Sequence, residues 1–331
     1  MRLNRHTIPS WRAAGAFFVA LAALAAAGCA SDEGGRVDPD GTLHGRVSLS
    51  GAFALYPLAV RWAHDFTELH PDVRVEIDAG GAGKGITDAL AGMVDFGMLS
   101  RELGQAEIDG GAEPFVVAKD AVVPTISLAN PHYDELVKKG LTRDMARRIW
   151  AGDGNVTWGD ILGSDAADRV VVFTRSDACG AADTWASWFG VRQEDLKGEG
   201  LNGDPSVAAA VAKEPAAIGF NNIGFAYDSR SHKPVEGLRV LPVDVNDNGR
   251  IDPEEDFYAT SDDLANAIAQ GLYPTPPARN LYLVSRGVPT DPVVRAFLDY
   301  VTSAGQARNA EAGYTAISAQ QRSDVGARLG L

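Results

Sequence analysis

The feature that most restricts the fold is an alternation of two hydrophobic periods. Apolar residues two apart (Val47, Leu49) give way, after Ser50-Gly51, to apolar residues at helical spacing (Leu58, Trp62, Phe66, Leu69) that end before Pro71. A second period-two run (Val73, Val75, Ile77) leads through Gly80-Gly81-Ala82-Gly83-Lys84-Gly85 into a helix from Ile86 to Met93, then a short strand at Phe96 to Leu99. Strand, tight turn and helix in series imply an α/β fold with mostly parallel sheets. After the apolar run Val116 to Leu128, interrupted by Lys119, Asp120 and Pro124, the pattern restarts beyond Asn130-Pro131. It predicts a helix over Thr142 to Trp150, a strand at Val170 to Phe173, a helix from about Ala181 and a strand at Ala217 to Phe220. A second lobe therefore begins there, and 331 residues suffice for two medium domains. Ser261 reads as the N-cap of a helix ending at Gly271, and Thr290-Asp291-Pro292 opens another through Tyr300.

Residues 1–28 read as an export signal. Arg2, Arg5 and Arg12 precede an uncharged run from Ala13 to Ala27, which is shorter than the roughly 20 residues a spanning helix needs. Ala26-Ala27-Gly28 before Cys29 resembles a bacterial lipoprotein signal, which makes Cys29 the lipidated first residue of the exported chain. Residues 29–43, rich in Gly and Asp without apolar periodicity, read as a tether.

The chain has 30 basic and 44 acidic residues, a formal charge of −14, and loss of the three signal arginines makes it −17. Such a field disfavours nonspecific binding to nucleic acid or anionic lipid. Any anion must be held by local donors. Three strand-to-helix turns offer them: Ser50-Gly51-Ala52-Phe53, Gly80 to Gly85, and Arg175-Ser176-Asp177-Ala178-Cys179-Gly180-Ala181. Glycine permits close backbone approach, and helix N-termini present unpaired N–H groups with partial positive charge, so these turns suit a tetrahedral oxyanion. Arg175 adds a planar fork. Cys179 has no histidine in any signature spacing and reads as a small packed thiol.

One further motif is independent of these turns. Asp244, Asn246, Asn248, Gly249 and Glu255 match D-x-[DN]-x-[DN]-G-x5-E at every specified position. Asp244, Asn246, Asn248, the Arg250 carbonyl, Asp252 and a bidentate Glu255 would supply a Ca2+ ion with oxygen ligands. Strand-like sequence precedes the loop, so the expected role is structural.

Taken in order, Ser50-Gly51-Ala52 with Tyr56-Pro57-Leu58, Gly81 to Gly85, Asp95-Phe96-Gly97-Met98 with Ser100-Arg101, Trp150-Ala151-Gly152 with Trp158 to Ile161, Arg175 to Gly180, and Gln306 with Gly313-Tyr314 resemble the phosphate-binding lipoprotein of bacterial ABC importers. The resemblance implies a two-lobed periplasmic binding protein fold of type II with a hinge cleft. Lobe I is then 44–128 plus the C-terminal 272–331, and lobe II is 129–271. It implies a phosphate site at Ser50, Ala52, Phe53, Ala82, Gly83, Ser100, Arg101, Arg175, Cys179, Gly180 and Ala181, with Lys84 at its edge. Ala52, Ala82, Ala181 and Cys179 stand where the family offers hydroxyls. Arg101 stands where many relatives carry an Asp that accepts the proton of phosphate, and Asp177 is a candidate for that role.

These readings predict a lipid-anchored binding protein, periplasmic or at the cell surface, that captures phosphate and delivers it to an ABC permease in the inner membrane without chemistry of its own. The alternatives are another oxyanion (sulfate, molybdate, tungstate), a ligand-free sensor or adhesion lipoprotein on the same fold, and an extracytoplasmic phosphatase. Against the last stands the lack of any paired catalytic base in the sequence.

Overall fold

The structure, a computed structural model, describes residues 34–330. The signal and Cys29 lie outside the described residues. The chain divides into two units, Met1–Gly34 and Gly35–Leu331, and the second contains every element below.

Ten strands form one continuous ladder: β1 (Arg36–Val37), β2 (Leu43–Gly51), β3 (Val73–Ala79), β4 (Phe96–Leu99), β5 (Ala112–Ser127), β6 (Val171–Arg175), β7 (Glu199–Leu201), β8 (Ala217–Asn222), β9 (Leu238–Val240) and β10 (Ala278–Arg286). Their order is β1-β2-β4-β10-β5-β8-β6-β7, with β3 on β2 and β9 on β5. The strand–turn–helix units do yield parallel pairs, β2 with β3 and β4, and β6 with β7 and β8. The sheet is nevertheless mixed, not mostly parallel, because β10 runs antiparallel to both β4 and β5, and β5 runs antiparallel to β8 and β9. The tether reading also changes: Arg36 and Val37 pair with His44 and Leu43, so regular structure begins before residue 43.

Two hydrophobic cores sit on this ladder. One gathers Val47, Leu49, Leu58, Trp62, Phe66, Phe96, Phe115 and Val117 with Leu281, Leu283, Val293 and Phe297. The other gathers Val122, Ile126, Ile149, Trp150, Trp158, Trp185, Phe220, Leu241, Leu264 and Tyr273. The change of core falls inside strands, between Ala118 and Ala121 of β5 and between Ala278 and Leu281 of β10. These two antiparallel strands, paired from Ala112↔Arg286 to Ala121↔Ala278, are therefore the connection between the lobes. Burying Trp62 and Trp185 completely anchors each lobe, since full burial of a large apolar side chain contributes about 1.5–3 kcal/mol. Among the described residues no helix is long and apolar enough to cross a membrane.

Candidate functional site

Every turn singled out for its glycines ends a strand and starts a helix. The Ser50 turn leads to Leu55, the N-cap of helix Tyr56–Leu69, while Gly81 is the N-cap of helix Ala82–Ala91 and Cys179 of helix Gly180–Trp188; a further turn that the sequence did not single out places Asn202 at the start of helix Gly203–Lys213. The first residues of a helix have N–H groups with no acceptor within the helix, so Ala82, Gly180 and Ala181 present donors outward. The two lobes meet at these turns. Gly83 N–H donates across to the Ala178 carbonyl at 3.3 Å. Gly180 lies so close to Ser100 that a Cβ at 180 would stand 2.3 Å from the Ser100 carbonyl oxygen and 2.5 Å from its Oγ. Phe53 lies beneath Arg175, its ring centroid 5.6 Å from Cζ, and a Cβ at 203 would come within 3.1 Å of the same ring. Phe53, Ala82, Gly83, Ser100, Arg175, Cys179, Gly180 and Ala181 thus share one interlobe locus.

Four expected donors are spent elsewhere. Ser50, fully buried, donates its hydroxyl to Asp88 Oδ2 at 2.7 Å, since Asp88 lies on the same lobe directly behind it. The Ala52 N–H goes to the Met98 carbonyl at 2.8 Å, part of the tight packing that brings β2, β4 and the Gly85 backbone together. Arg101 forks onto Glu107 at 2.9 and 2.7 Å and also donates to the Glu102 carbonyl, which turns it toward its own lobe. Lys84 pairs with Asp78 and Asp88 at 3.0 and 2.5 Å on an exposed edge.

Arg175 is the largest departure. Its expected fork on an oxyanion is a fork on Asp177, with Nε on Oδ1 at 2.8 Å and Nη2 on Oδ2 at 2.6 Å, while Nη1 reaches Asp204 at 2.6 Å. Burial alone would lower the arginine pKa, but Asp204 and then Asp177 outweigh it and hold the guanidinium firmly charged. The Asp177 pKa is pulled the opposite way: burial raises it, and Arg175 together with the Gly203 N–H brings it below the usual carboxylate range. Arg175, Asp177 and Asp204 together carry one net negative charge. An anion here depends on backbone donors and helix termini more than on a free arginine.

Asp204 gives no local sequence signal of its role, yet it is fully buried and saturated: it also accepts from Asn222 N–H at 2.8 Å and Asn222 Nδ2 at 2.7 Å. Asn222 Oδ1 in turn accepts from Arg279 Nη2, and Arg279 pairs with buried Asp120 at 2.9 Å where β5 and β10 change lobes. Beside this pair a cavity of 410 Å³ is lined by Arg101, Lys119, Asp183, Thr184 and Asn280 among others. Cys179 is buried, and burial pushes its thiol up to about 12 despite the nearby Arg175, so it stays protonated.

The acidic loop 244–255 lies in the second lobe, away from these turns. Asp244 accepts from Asn248 and Gly249 N–H at 3.2 and 2.7 Å, and Glu255 from Val245, Asn246 and Asp252 N–H at 2.9, 3.2 and 3.1 Å. Asp252 accepts the side-chain amides of Asn246 and Asn248 and carries the Arg250 guanidinium at 2.8 Å. Gly249 adopts φ 83°, the turn the motif requires of glycine. All six expected ligand residues therefore share one compact loop.

Known proteins share this architecture. The chain is 25% identical over 260 residues to the phosphate-binding protein PstS of Bacillus subtilis, covering 78% of this chain and 76% of that one. It is 24% identical over 301 residues to the PstS of Staphylococcus haemolyticus, covering 88% of each. Among solved structures, a substrate-binding protein of Clostridium perfringens with bound phosphate superposes with a TM-score of 0.67 at 22% identity, over 82% of this chain and 100% of that one. An ABC-type phosphate transport receptor of Vibrio cholerae gives 0.59 at 21% identity, over the same shares. A model described as the PBP superfamily domain matches residues 36–304, and the chain belongs to that superfamily of two-lobed binding proteins.

Proposed function

We propose that this chain captures inorganic phosphate between its lobes and delivers it to the permease of an ABC importer, held outside the cytoplasm by a lipid on Cys29. The observation that carries the reading is the meeting of two helix N-termini, at Ala82 and Gly180, from opposite lobes beside Ser100 and Phe53. Backbone N–H groups so arranged bind an oxyanion in a protein whose overall field is negative. The names of the similar proteins favour phosphate over the other tetrahedral anions. The role is binding without turnover, and the protonated Cys179 thiol fits a packing residue better than a nucleophile. A thermal-shift panel of phosphate, sulfate, molybdate and tungstate on anion-free protein tests it. Phosphate at a hundredfold excess over Kd should stabilise by about 2.7 kcal/mol. A midpoint that no oxyanion moves contradicts transport and favours a ligand-free lipoprotein.

The loop 244–255 supports a second, separate reading, a structural Ca2+ held by Asp244, Asn246, Asn248, the Arg250 carbonyl, Asp252 and Glu255. The motif match at every specified position favours it, as does the burial of Asp244 and Glu255.

A further inference from the structure

We propose that the cavity beside the Asp120–Arg279 pair is a second ligand site, taking a small organic zwitterion, an α-amino acid or dipeptide, whose carboxylate pairs with Lys119 and whose ammonium pairs with Asp183. The inference stands apart from the phosphate reading and does not need it. The cavity's 410 Å³ falls within the range of about 300–1,000 Å³ usual for small-molecule sites, which favour the seams between lobes. Glu102 follows β4 in one lobe, Asp183 and Ile268 belong to the other, and Lys119 and Arg279 lie on the strands that join them. Arg101 is the one lining residue shared with the expected phosphate positions, and its fork is turned onto Glu107.

Five charged side chains line this cavity, and three of them already have partners. Arg101 forks onto Glu107, Arg279 pairs with buried Asp120, and Glu102 accepts from the Tyr282 hydroxyl at 2.5 Å. Among the described residues, neither the Lys119 ammonium nor the Asp183 carboxylate has a hydrogen bond or ion pair. Asp183 acts on Arg101 only through space, behind the direct Glu107 contact. Both Lys119 and Asp183 are half-buried. Charge withdrawn from water without a partner costs stability, so a ligand that brings one counter-charge to each gains two charge-assisted hydrogen bonds. A ligand with a single charge satisfies only one of them.

Both charges stand on fixed backbone. Lys119 pairs with Asn280 on one side, and on the other its N–H and C=O exchange hydrogen bonds with Thr315, each at 2.9 Å. Asp183 stands in the first turn of helix Gly180–Trp188, and Thr184 beside it accepts from Arg279 Nη1 at 3.3 Å. Ile268, Pro276 and Ala278 supply an apolar wall for a carbon skeleton. β4 ends at Leu99, opposite Tyr282, whereas β10 begins at Ala278, so Arg279 and Asn280 pair with β5 alone. That open edge of β10 suits the amide in the middle of a dipeptide.

Calorimetry of alanine and dialanine on the full chain, with and without saturating phosphate, tests the inference. N-Acetyldialanine and dialanine amide serve as the forms that lack one charge. At least one zwitterion should bind at a single saturable site, and the forms lacking one charge should bind about 10- to 100-fold more weakly, the scale of one lost hydrogen bond to a charged group. Lys119→Gln and Asp183→Asn should each cost the zwitterion a similar factor. Each substitution removes a charge that has no partner in the protein, so both variants should fold, as their unfolding midpoints will report. If neither alanine nor dialanine binds the wild type at millimolar concentration, the inference is overturned. It is equally overturned by a zwitterion whose affinity is unchanged in either folded variant, or by N-acetyldialanine or the amide binding as tightly as dialanine, since one charge would then contribute nothing. Competitive displacement by phosphate would put the zwitterion in the interlobe turns and overturn the second site, whereas failure of phosphate to bind leaves this inference intact and bears on the functional reading alone.

Discussion

Arg175, the last residue of β6, and Asp177, two residues further on in the turn, form a two-point ion pair in which Nε and Nη2 donate at 2.8 and 2.6 Å to the two carboxylate oxygens. The third guanidinium nitrogen reaches Asp204, 29 residues further on. One arginine thus bridges acids from two separate helix starts and joins them at the place where the lobes meet.

Removing that arginine leaves two buried carboxylates without a counter-charge. Arg175→Ala should destabilise the protein by about 3–5 kcal/mol in urea unfolding, the usual cost of breaking a buried pair from one side. It should also weaken phosphate by about 2–5 kcal/mol. Lys84→Ala, which removes a side chain 39% exposed between Asp78 and Asp88, should change stability by less than about 1 kcal/mol. Similar unfolding midpoints for the two variants would remove Arg175 from its structural role.

The same pair predicts an acid limb. The Asp177 pKa is lowered in the folded state against an ordinary value of 3.8, so its stabilisation is present above that value and is lost as pH falls through the lower folded value. The stability gap between wild type and Asp177→Asn should be flat near neutrality and should shrink below about pH 3.8. A gap that instead grew with acid would mean that the carboxyl is stabilised in its protonated form.

Closure of the lobes depends on the missing side chain of Gly180. A Cβ there meets the Ser100 carbonyl oxygen at 2.3 Å, backbone that can yield only by moving one lobe from the other. Gly180→Ala should cost about 1–3 kcal/mol as overpacking. Phosphate affinity should fall with it, and small-angle scattering with saturating phosphate should show a larger radius than the wild type. An unchanged radius and affinity would show that the two turns separate freely.

Calcium should raise the thermal midpoint, and magnesium should do so less, because it demands a tighter octahedral shell. Glu255→Gln should remove most of that gain and leave phosphate affinity nearly unchanged, since the loop packs on Lys138 and Gly140 and not on the interlobe turns. Calorimetry without calcium binding at millimolar concentration would reduce the loop to an acidic turn.

Much of this was legible in the sequence where the physics is local. Helix Tyr56–Leu69, strand Val73–Ala79 and helix Arg143–Ala151 follow apolar periodicity within a residue or two. Thr260, not Ser261, caps the next helix, accepting from Asp263 N–H at 3.1 Å. β10 was invisible because it is buried on both faces, which erases the period-two signal. Asp120 looked like a polar break in an apolar run, yet it is 1% exposed and paired with Arg279, 159 residues away. The turns of the site were readable from their glycines. Asp177 stands two residues from Arg175, but Asp204, Glu107 and Asp88 were not readable as partners of Arg175, Arg101 and the Ser50 hydroxyl, because only folding brings them together.

The turns at Ala82 and Gly180 are proposed to close on a tetrahedral anion, phosphate. Calorimetric titration of the anion-free protein with phosphate and with sulfate at neutral pH tests it most directly. One saturable phosphate site is expected, with sulfate bound more weakly, in keeping with the phosphate named in the similar proteins. No binding of phosphate at millimolar concentration, or sulfate bound as tightly as phosphate, would contradict it.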